Sequence, residues 1–210
     1  PFYIPLRLGL LNHDGEQLPL INESGEKDLA PVYDRIYPIT KSRQELVFHN
    51  IDSKPIPSLL RNFSAPVKLE YLYTQEELYF LMVHDTDGFN RWNAGQSLAS
   101  QVITSLQSGE SDEIDKASAV ISKAFKLILN DSLNKKEVDK AMLAHILELP
   151  TEGALIEQAQ VAVVDDIHIA RESIANFLST DLKADFAEVF NSNFSEGISS
   201  IEPEDMARRA

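Results

Sequence analysis

Val67-Lys68-Leu69-Glu70-Tyr71-Leu72-Tyr73-Thr74-Gln75-Glu76-Glu77-Leu78-Tyr79-Phe80-Leu81-Met82-Val83 is where the hydrophobic period of this chain changes. Up to Tyr73 apolar side chains fall on every second residue, the repeat of a half-buried strand. Thr74 and Glu77 then stand at capping-box spacing, where a hydroxyl and a carboxylate three residues apart exchange hydrogen bonds with the free N–H groups of a first helical turn. The run Leu78 to Val83 is apolar throughout and contains β-favouring aromatics, so period alone does not assign it. The cap assigns it to a helix. We therefore expect strands over residues 1–73 and helices over residues 74–210.

Working back from that boundary, Phe2, Ile4, Leu6, Leu8 and Leu10 alternate as in a strand with one buried face. Asp14-Gly15 marks a tight turn before a second short run, Gln17 to Ile21, and the polar stretch Asn22 to Asp28 reads as a loop. Leu46, Phe48 and Asn50 alternate with Val47, His49 and Ile51, which predicts another strand, and Val67 to Tyr73 predicts one more. Pro55 and Pro57 lack the N–H that a ladder needs, which places that segment at a sheet edge or in a connection. The expectation is a small antiparallel, Ig-like β-sandwich.

Working forward, the period becomes helical. Phe89, Trp92, Leu98, Val102 and Leu106 suggest one helix, and Ile114, Ala117, Ile121, Ala124, Phe125 and Ile128 form the stripe of another. Val138, Ala141, Met142, His145, Ile146 and Leu149 form a third stripe, ended by Pro150. Ile167, Ala170, Ile174, Phe177 and Leu178 form a fourth; Leu182, Phe186, Val189 and Phe190 form a fifth. Short connections imply that sequential helices pack as antiparallel pairs. No strict period repeats, so the expectation is a degenerate α-solenoid built of helical hairpins. Pro203, Glu204 and Asp205 make a good helix start that breaks off at Ala210. With no initiating methionine either, we expect a segment of a longer protein, its helical part truncated at the C-terminus.

Composition excludes several function classes. Of 210 residues 43% are apolar, enough for a core, and there is no cysteine, hence no disulfide, thiolate zinc site or cysteine nucleophile. Eight basic and nine acidic residues precede Thr74, leaving eleven basic and twenty-four acidic after it, so nearly all of the net charge of −14 lies in the helical part. Such a surface repels phosphate backbones and anionic lipid, which argues against a nucleic-acid or membrane partner. The longest apolar stretch is too short to cross a bilayer and no basic-then-apolar leader is present, so a cytoplasmic location is expected. The Asn-x-Ser sequons at Asn22, Asn62, Asn130 and Asn193 are read as chance.

No residue pattern points to catalysis. The histidines His13, His49, His84, His145 and His168 include no pair at the spacing of a helical zinc motif. His145 falls on an apolar stripe and reads as a core histidine; His168 and Glu172, four apart, read as a surface pair. Asp85-Thr86-Asp87-Gly88 is similar to a calcium loop, yet its glycine comes two places early and Gln96 stands where the bidentate glutamate belongs. The simpler reading has Asp87 cap the helix that carries Phe89 and Trp92, with Trp92 packing between helices. Asp165 and Asp166 are an expected pair in so acidic a chain. With 8 glycines there is no phosphate loop and no nucleophile elbow. Catalytic, cofactor-binding and metal-ligand residues are all read as none.

Three runs carry a family resemblance. His49-Asn50-Ile51-Asp52-Ser53-Lys54-Pro55-Ile56-Pro57-Ser58-Leu59-Leu60-Arg61-Asn62-Phe63-Ser64-Ala65-Pro66-Val67-Lys68-Leu69 resembles the β-sandwich domain of the bacterial aminopeptidase N (alanyl aminopeptidase) family of zinc metallopeptidases. Arg91-Trp92-Asn93-Ala94-Gly95-Gln96-Ser97-Leu98 looks like the opening of that family's C-terminal helical domain, and Ile201-Glu202-Pro203-Glu204-Asp205-Met206-Ala207-Arg208-Arg209-Ala210 like a helix start further along it. The resemblance implies a parent that removes N-terminal amino acids from peptides with a zinc bound elsewhere in the parent by an HExxH motif. It also implies that the sandwich joins the catalytic domain to a helical domain enclosing the active site. HExxH and the GAMEN-type strand are missing from this chain, so the resemblance carries over no site residue and implies an inactive segment. Its partners would be the remainder of the parent chain and, in the parent, peptide substrates. The alternative is a stand-alone acidic helical module that binds peptides or proteins.

Overall fold

The computed structural model describes residues 2–21, 31–108, 111–135, 138–194, 202, 203 and 206. The expected loop over Asn22–Asp28, the side chains of Ile114 and Ala117, and Glu204 and Asp205 of the terminal helix start lie outside them. By contact the chain divides into two compact units, Pro1–Arg91 and Trp92–Ala210.

The first unit is built on β1 (Ile4–Leu11), which pairs antiparallel with β2 (Gln17–Leu18), β3 (Asp34–Ile39) and β4 (Ile56–Leu59) in one four-stranded sheet. The turn from β1 to β2 forms where the sequence places it. Gly15 takes φ +87°, a left-handed value that costs glycine little, and the Asn12 side-chain oxygen accepts from the N–H groups of Asp14 (3.0 Å) and Glu16 (2.9 Å). Leu8, Leu10 and Leu20 form a core that Leu18, Tyr37, Phe48, Ile51 and Leu59 pack against. Pro57 sits within β4, whose described ladder is to β1 alone, as a residue without a backbone donor requires.

Two expected strands are absent, and one unexpected strand is present. Residues 46–51 form no ladder; Asn50 has φ +59°, which interrupts an extended run, and His49 N–H makes one isolated bond to the Ile21 carbonyl (3.1 Å). Phe48 still reaches the core and meets Tyr37 edge-on at 5.7 Å. Residues 67–73 likewise form no ladder. The third strand is instead β3, which pairs with β1 from Ile4↔Ile39 to Gly9↔Asp34.

At Thr74 the expected helix begins. In α1 (Gln75–His84) both arms of the capping box are made: Glu77 N–H donates to the Thr74 hydroxyl (3.1 Å), and Thr74 N–H donates to the Glu77 carboxylate (3.0 Å). The Thr74 N–H bond holds the Glu77 carboxyl below its ordinary range, helped by Lys54 at 3.0 Å. Leu78, Leu81 and Met82 are buried, and α1 packs on β4. Thr74→Ala removes the cap and should cost about 1 kcal/mol. All six tyrosines lie in the first unit and the one tryptophan in the second, so the tyrosine signal in denaturant unfolding reads this loss. An unchanged midpoint would mean the cap adds nothing to the unit.

The helices that follow are α2 (Gly88–Ser108), α3 (Ser111–Asn134), α4 (Lys140–Ile146), α5 (Glu152–Gln158), α6 (Val164–Asp181) and α7 (Lys183–Asn193). Within the second unit many buried side chains fall on the sequence stripes: Leu98 and Val102 on α2, Ile121, Ala124, Phe125 and Ile128 on α3, Ile167, Ala170, Ile174 and Leu178 on α6. Phe177 of the fourth stripe, by contrast, is exposed, and α4 buries Leu143, outside the third stripe, beside Ile146. Three sequential pairs meet (α3 with α4, α5 with α6, α6 with α7), but α3 also packs on α6 and α7, which short loops alone do not foretell. Ser122 on α3 donates to Asp181 of α6 (2.5 Å), and Lys126 pairs with Asp185 of α7 (3.7 Å). Helix α5, capped by Thr151 through the Ala154 N–H, was not expected. The fifth stripe is only partly used: Leu182 is buried, whereas Phe190 is 65% exposed against the ring of Phe194.

Candidate functional site

The most constrained place in the described residues is a turn in the first unit. Leu60, Asn62 and Phe63 have φ of +57°, +52° and +49°, a left-handed backbone that each adopts at a cost of about 1–3 kcal/mol. A network of buried polar groups offsets that cost. Asn62 N–H donates to the Asp87 carboxylate (2.8 Å), and the Ser64 hydroxyl accepts from Arg7 N–H (3.0 Å). Arg61 points inward and is 4% exposed. Its guanidinium donates to the Thr86 hydroxyl (2.5 Å) and pairs with Asp85 at 3.5 Å and Asp34 at 3.9 Å. It lies over Gly9 of β1, where a Cβ would collide with the guanidinium and crowd the Tyr33 carbonyl. That close approach explains a glycine inside a strand.

The α1–α2 connection supplies the other half. One Asp85 oxygen accepts from Asp87 N–H (3.0 Å), and Asp87 in turn accepts from Asn90 N–H (2.9 Å), capping α2 as its position implies. The Asn90 amide donates to the Ser58 hydroxyl (2.7 Å) and the Leu59 carbonyl (3.0 Å), so the α1–α2 connection is tied to β4. Burial pushes the Asp85 carboxyl above its ordinary range, against the opposing pull of Ser58, the Asp87 N–H and Arg61. Apart from Arg61 Nε and one Asp85 carboxylate oxygen, which are buried without a hydrogen bond to a described residue, these groups bond to backbone and to one another, and no nucleophile among them is poised against a base. The arrangement is a structural lock rather than a catalytic constellation.

Asp85-Thr86-Asp87-Gly88, the stretch similar to a calcium loop, is therefore part of this lock. Sequence spacing indicated the Asp87 cap; it did not indicate Arg61, Asp85, Ser58 or Asn90. Two histidine readings are corrected. His145 is exposed, not core, because α4 is only two turns long and turns that edge to solvent, where the imidazole meets Glu148 at 3.1 Å. His168 pairs not with Glu172 but with Glu152 of α5 at 2.7 Å, a bond that raises its pKa, while Glu172 meets Arg171 at 3.3 Å. Asp165 and Asp166 are exposed in the first turn of α6, where carboxylates suit the helix dipole. Among the described residues no three histidine, cysteine or acidic side chains gather to hold a metal ion, and no helix is long and apolar enough to cross a membrane.

Comparison with known proteins covers nearly the whole chain. Residues 75–210 match the family described as "Domain of unknown function (DUF3458_C) ARM repeats", and residues 1–72 match "Domain of unknown function (DUF3458) Ig-like fold". Aminopeptidase N of Escherichia coli K12 is 32% identical over all of this chain and 23% of its own length. Aminopeptidase N of Haemophilus influenzae is 33% identical over 90% of this chain and 21% of its own. A crystal structure of Legionella pneumophila aminopeptidase A in complex with aspartic acid superposes with a TM-score of 0.78 at 29% identity, over 98% of this chain and 22% of that one. The chain thus spans between a fifth and a quarter of the length of these relatives. The Ig-like fold followed by a helical array agrees with the fold class read from the sequence. The chain belongs to the DUF3458_C family of ARM-repeat domains, preceded by its Ig-like DUF3458 partner domain, and is homologous to the part of bacterial aminopeptidase N that carries both.

Proposed function

We propose that this chain is the non-catalytic joining segment of a zinc-dependent, cytoplasmic aminopeptidase that removes N-terminal amino acids from peptides. In this reading the Ig-like part, residues 1–73, fixes the catalytic domain against the helical part, residues 74–210, which walls the active site. The observation that carries it is identity of 32% running through both modules in order while covering only 23% of the relative. The chain has no cysteine, and among its described residues the histidines and acids form no cluster that would hold a zinc ion. The metal and the chemistry are assigned to the rest of the parent, and this chain's part is to position and enclose.

The test is made on the native protein. The gene product should be several-fold heavier than 23.5 kDa. It should hydrolyse N-terminal aminoacyl arylamides, lose that activity to a chelator and regain it with zinc. A native product at the chain's own mass, or a long one with no aminopeptidase activity, would end this reading. The first of those outcomes favours a free-standing acidic helical module.

A further inference from the structure

Residues 67–73 read as a strand in sequence, yet take no place in the sheet. The segment is bounded at each end by a three-residue turn: Val67 N–H bonds the Ala65 carbonyl (2.9 Å), and Tyr73 N–H bonds the Tyr71 carbonyl (3.0 Å). Turns of this kind are common at strand ends. Both ends are also anchored, since Ala65 is buried and the Tyr73 hydroxyl donates to the Pro57 carbonyl of β4 (2.7 Å). Between the anchors, no backbone hydrogen bond forms from the N–H groups of Lys68, Leu69, Glu70, Tyr71 or Leu72 to a described residue. The side chains are wrong for water. Val67, Leu69 and Tyr71 are all more than a third exposed at alternating positions, and Leu72 is 98% exposed.

A segment whose donors find no described partner, with alternating apolar side chains and both ends fixed, has the makings of a strand-addition site. Main-chain bonds supply affinity there, and the ordering entropy has already been spent. The occupant follows from length: the relatives carry more than three quarters of their chain outside the part matched here. Resting on the function proposed above, we infer that residues 67–72 pair with an extended strand from the remainder of the parent chain, forming the joint through which the Ig-like part grips its neighbour.

Hydrogen exchange on the full-length native protein tests this. The amides of residues 68–72 should exchange at least about 100-fold more slowly than solvated amides of the same sequence. Leu72→Asp, which removes an exposed side chain this chain's own core does not use, should abolish most of that protection. Unprotected amides in a long, peptidase-active protein would overturn the inference and leave the proposed function standing. Protection that disappears on dilution would assign the segment to a second copy, which also overturns it. A native product of 23.5 kDa overturns both together.

Discussion

Arg61→Met lowers the stability of the first unit by about 3–5 kcal/mol, the scale for breaking a buried ion pair from one side. Methionine fills much of the same length, so the loss is chiefly electrostatic and not a cavity. Asp85 would remain with its side chain fully buried, its nearest cation gone. The turn at Leu60–Phe63 would lose the guanidinium bond to Thr86 that helps hold three left-handed residues in place. The tyrosine-reported unfolding midpoint should therefore fall sharply. Its pH dependence identifies the cause. The Asp85 carboxyl is already raised above its ordinary value by burial, so the folded state takes up this proton before the unfolded state does. Acidification from neutral through that raised value thus adds stability at this site, and the gain is complete once pH falls below the unfolded value, about 3.9. Removing Arg61 removes one of the pulls that oppose the rise. The stability gap between the variant and the parent sequence should accordingly be widest near neutral pH and narrow towards pH 4. A gap independent of pH would show that Asp85 does not carry the loss.

What the sequence made legible was local. The capping box at Thr74, the Asp14-Gly15 turn and the Asp87 cap each depend on residues within four positions of one another, so their spacing states their geometry. The helical stripes of α3 and α6 were legible for the same reason: period reports burial along a single element. The strands were harder. A period of two is necessary for a sheet but not sufficient, since a strand needs a partner. Residues 46–51 are diverted by one left-handed asparagine, and β3, with Pro38 inside it, shows no clean alternation yet finds β1. The Arg61 lock was invisible because it joins Arg7, Gly9, Asp34, Arg61, Asp85 and Asn90, which only the folded sheet and the α1–α2 connection bring together. Even Gly9 read as one more position in a strand, although its missing Cβ is what admits the guanidinium.

In the second unit the corresponding large effect belongs to Ile174, and the fifth stripe supplies its contrast. Ile174 is 1% exposed on α6, in register with Ile167, Ala170 and Leu178, and α6 packs on α3, α5 and α7. Ile174→Ala removes three carbons from a helix covered by three others, so its neighbours have little freedom to close the gap. The expected loss is about 2–5 kcal/mol, the sum of a transfer penalty and a cavity penalty. Phe190 is the larger side chain, but it is 65% exposed on α7, a helix with no buried residue. Phe190→Ala should cost less than about 0.5 kcal/mol in this chain, because an exposed ring has little apolar burial to lose. Trp92, the one tryptophan, reports both variants by fluorescence during denaturant unfolding. If the two substitutions cost the same, the burial pattern of α6 and α7 would be wrong, and with it the division between a helix that holds the array together and one that lines its surface. A large loss at Ile174 beside a small one at Phe190 means that the repeating apolar stripe stabilises this array only where a neighbouring helix covers it.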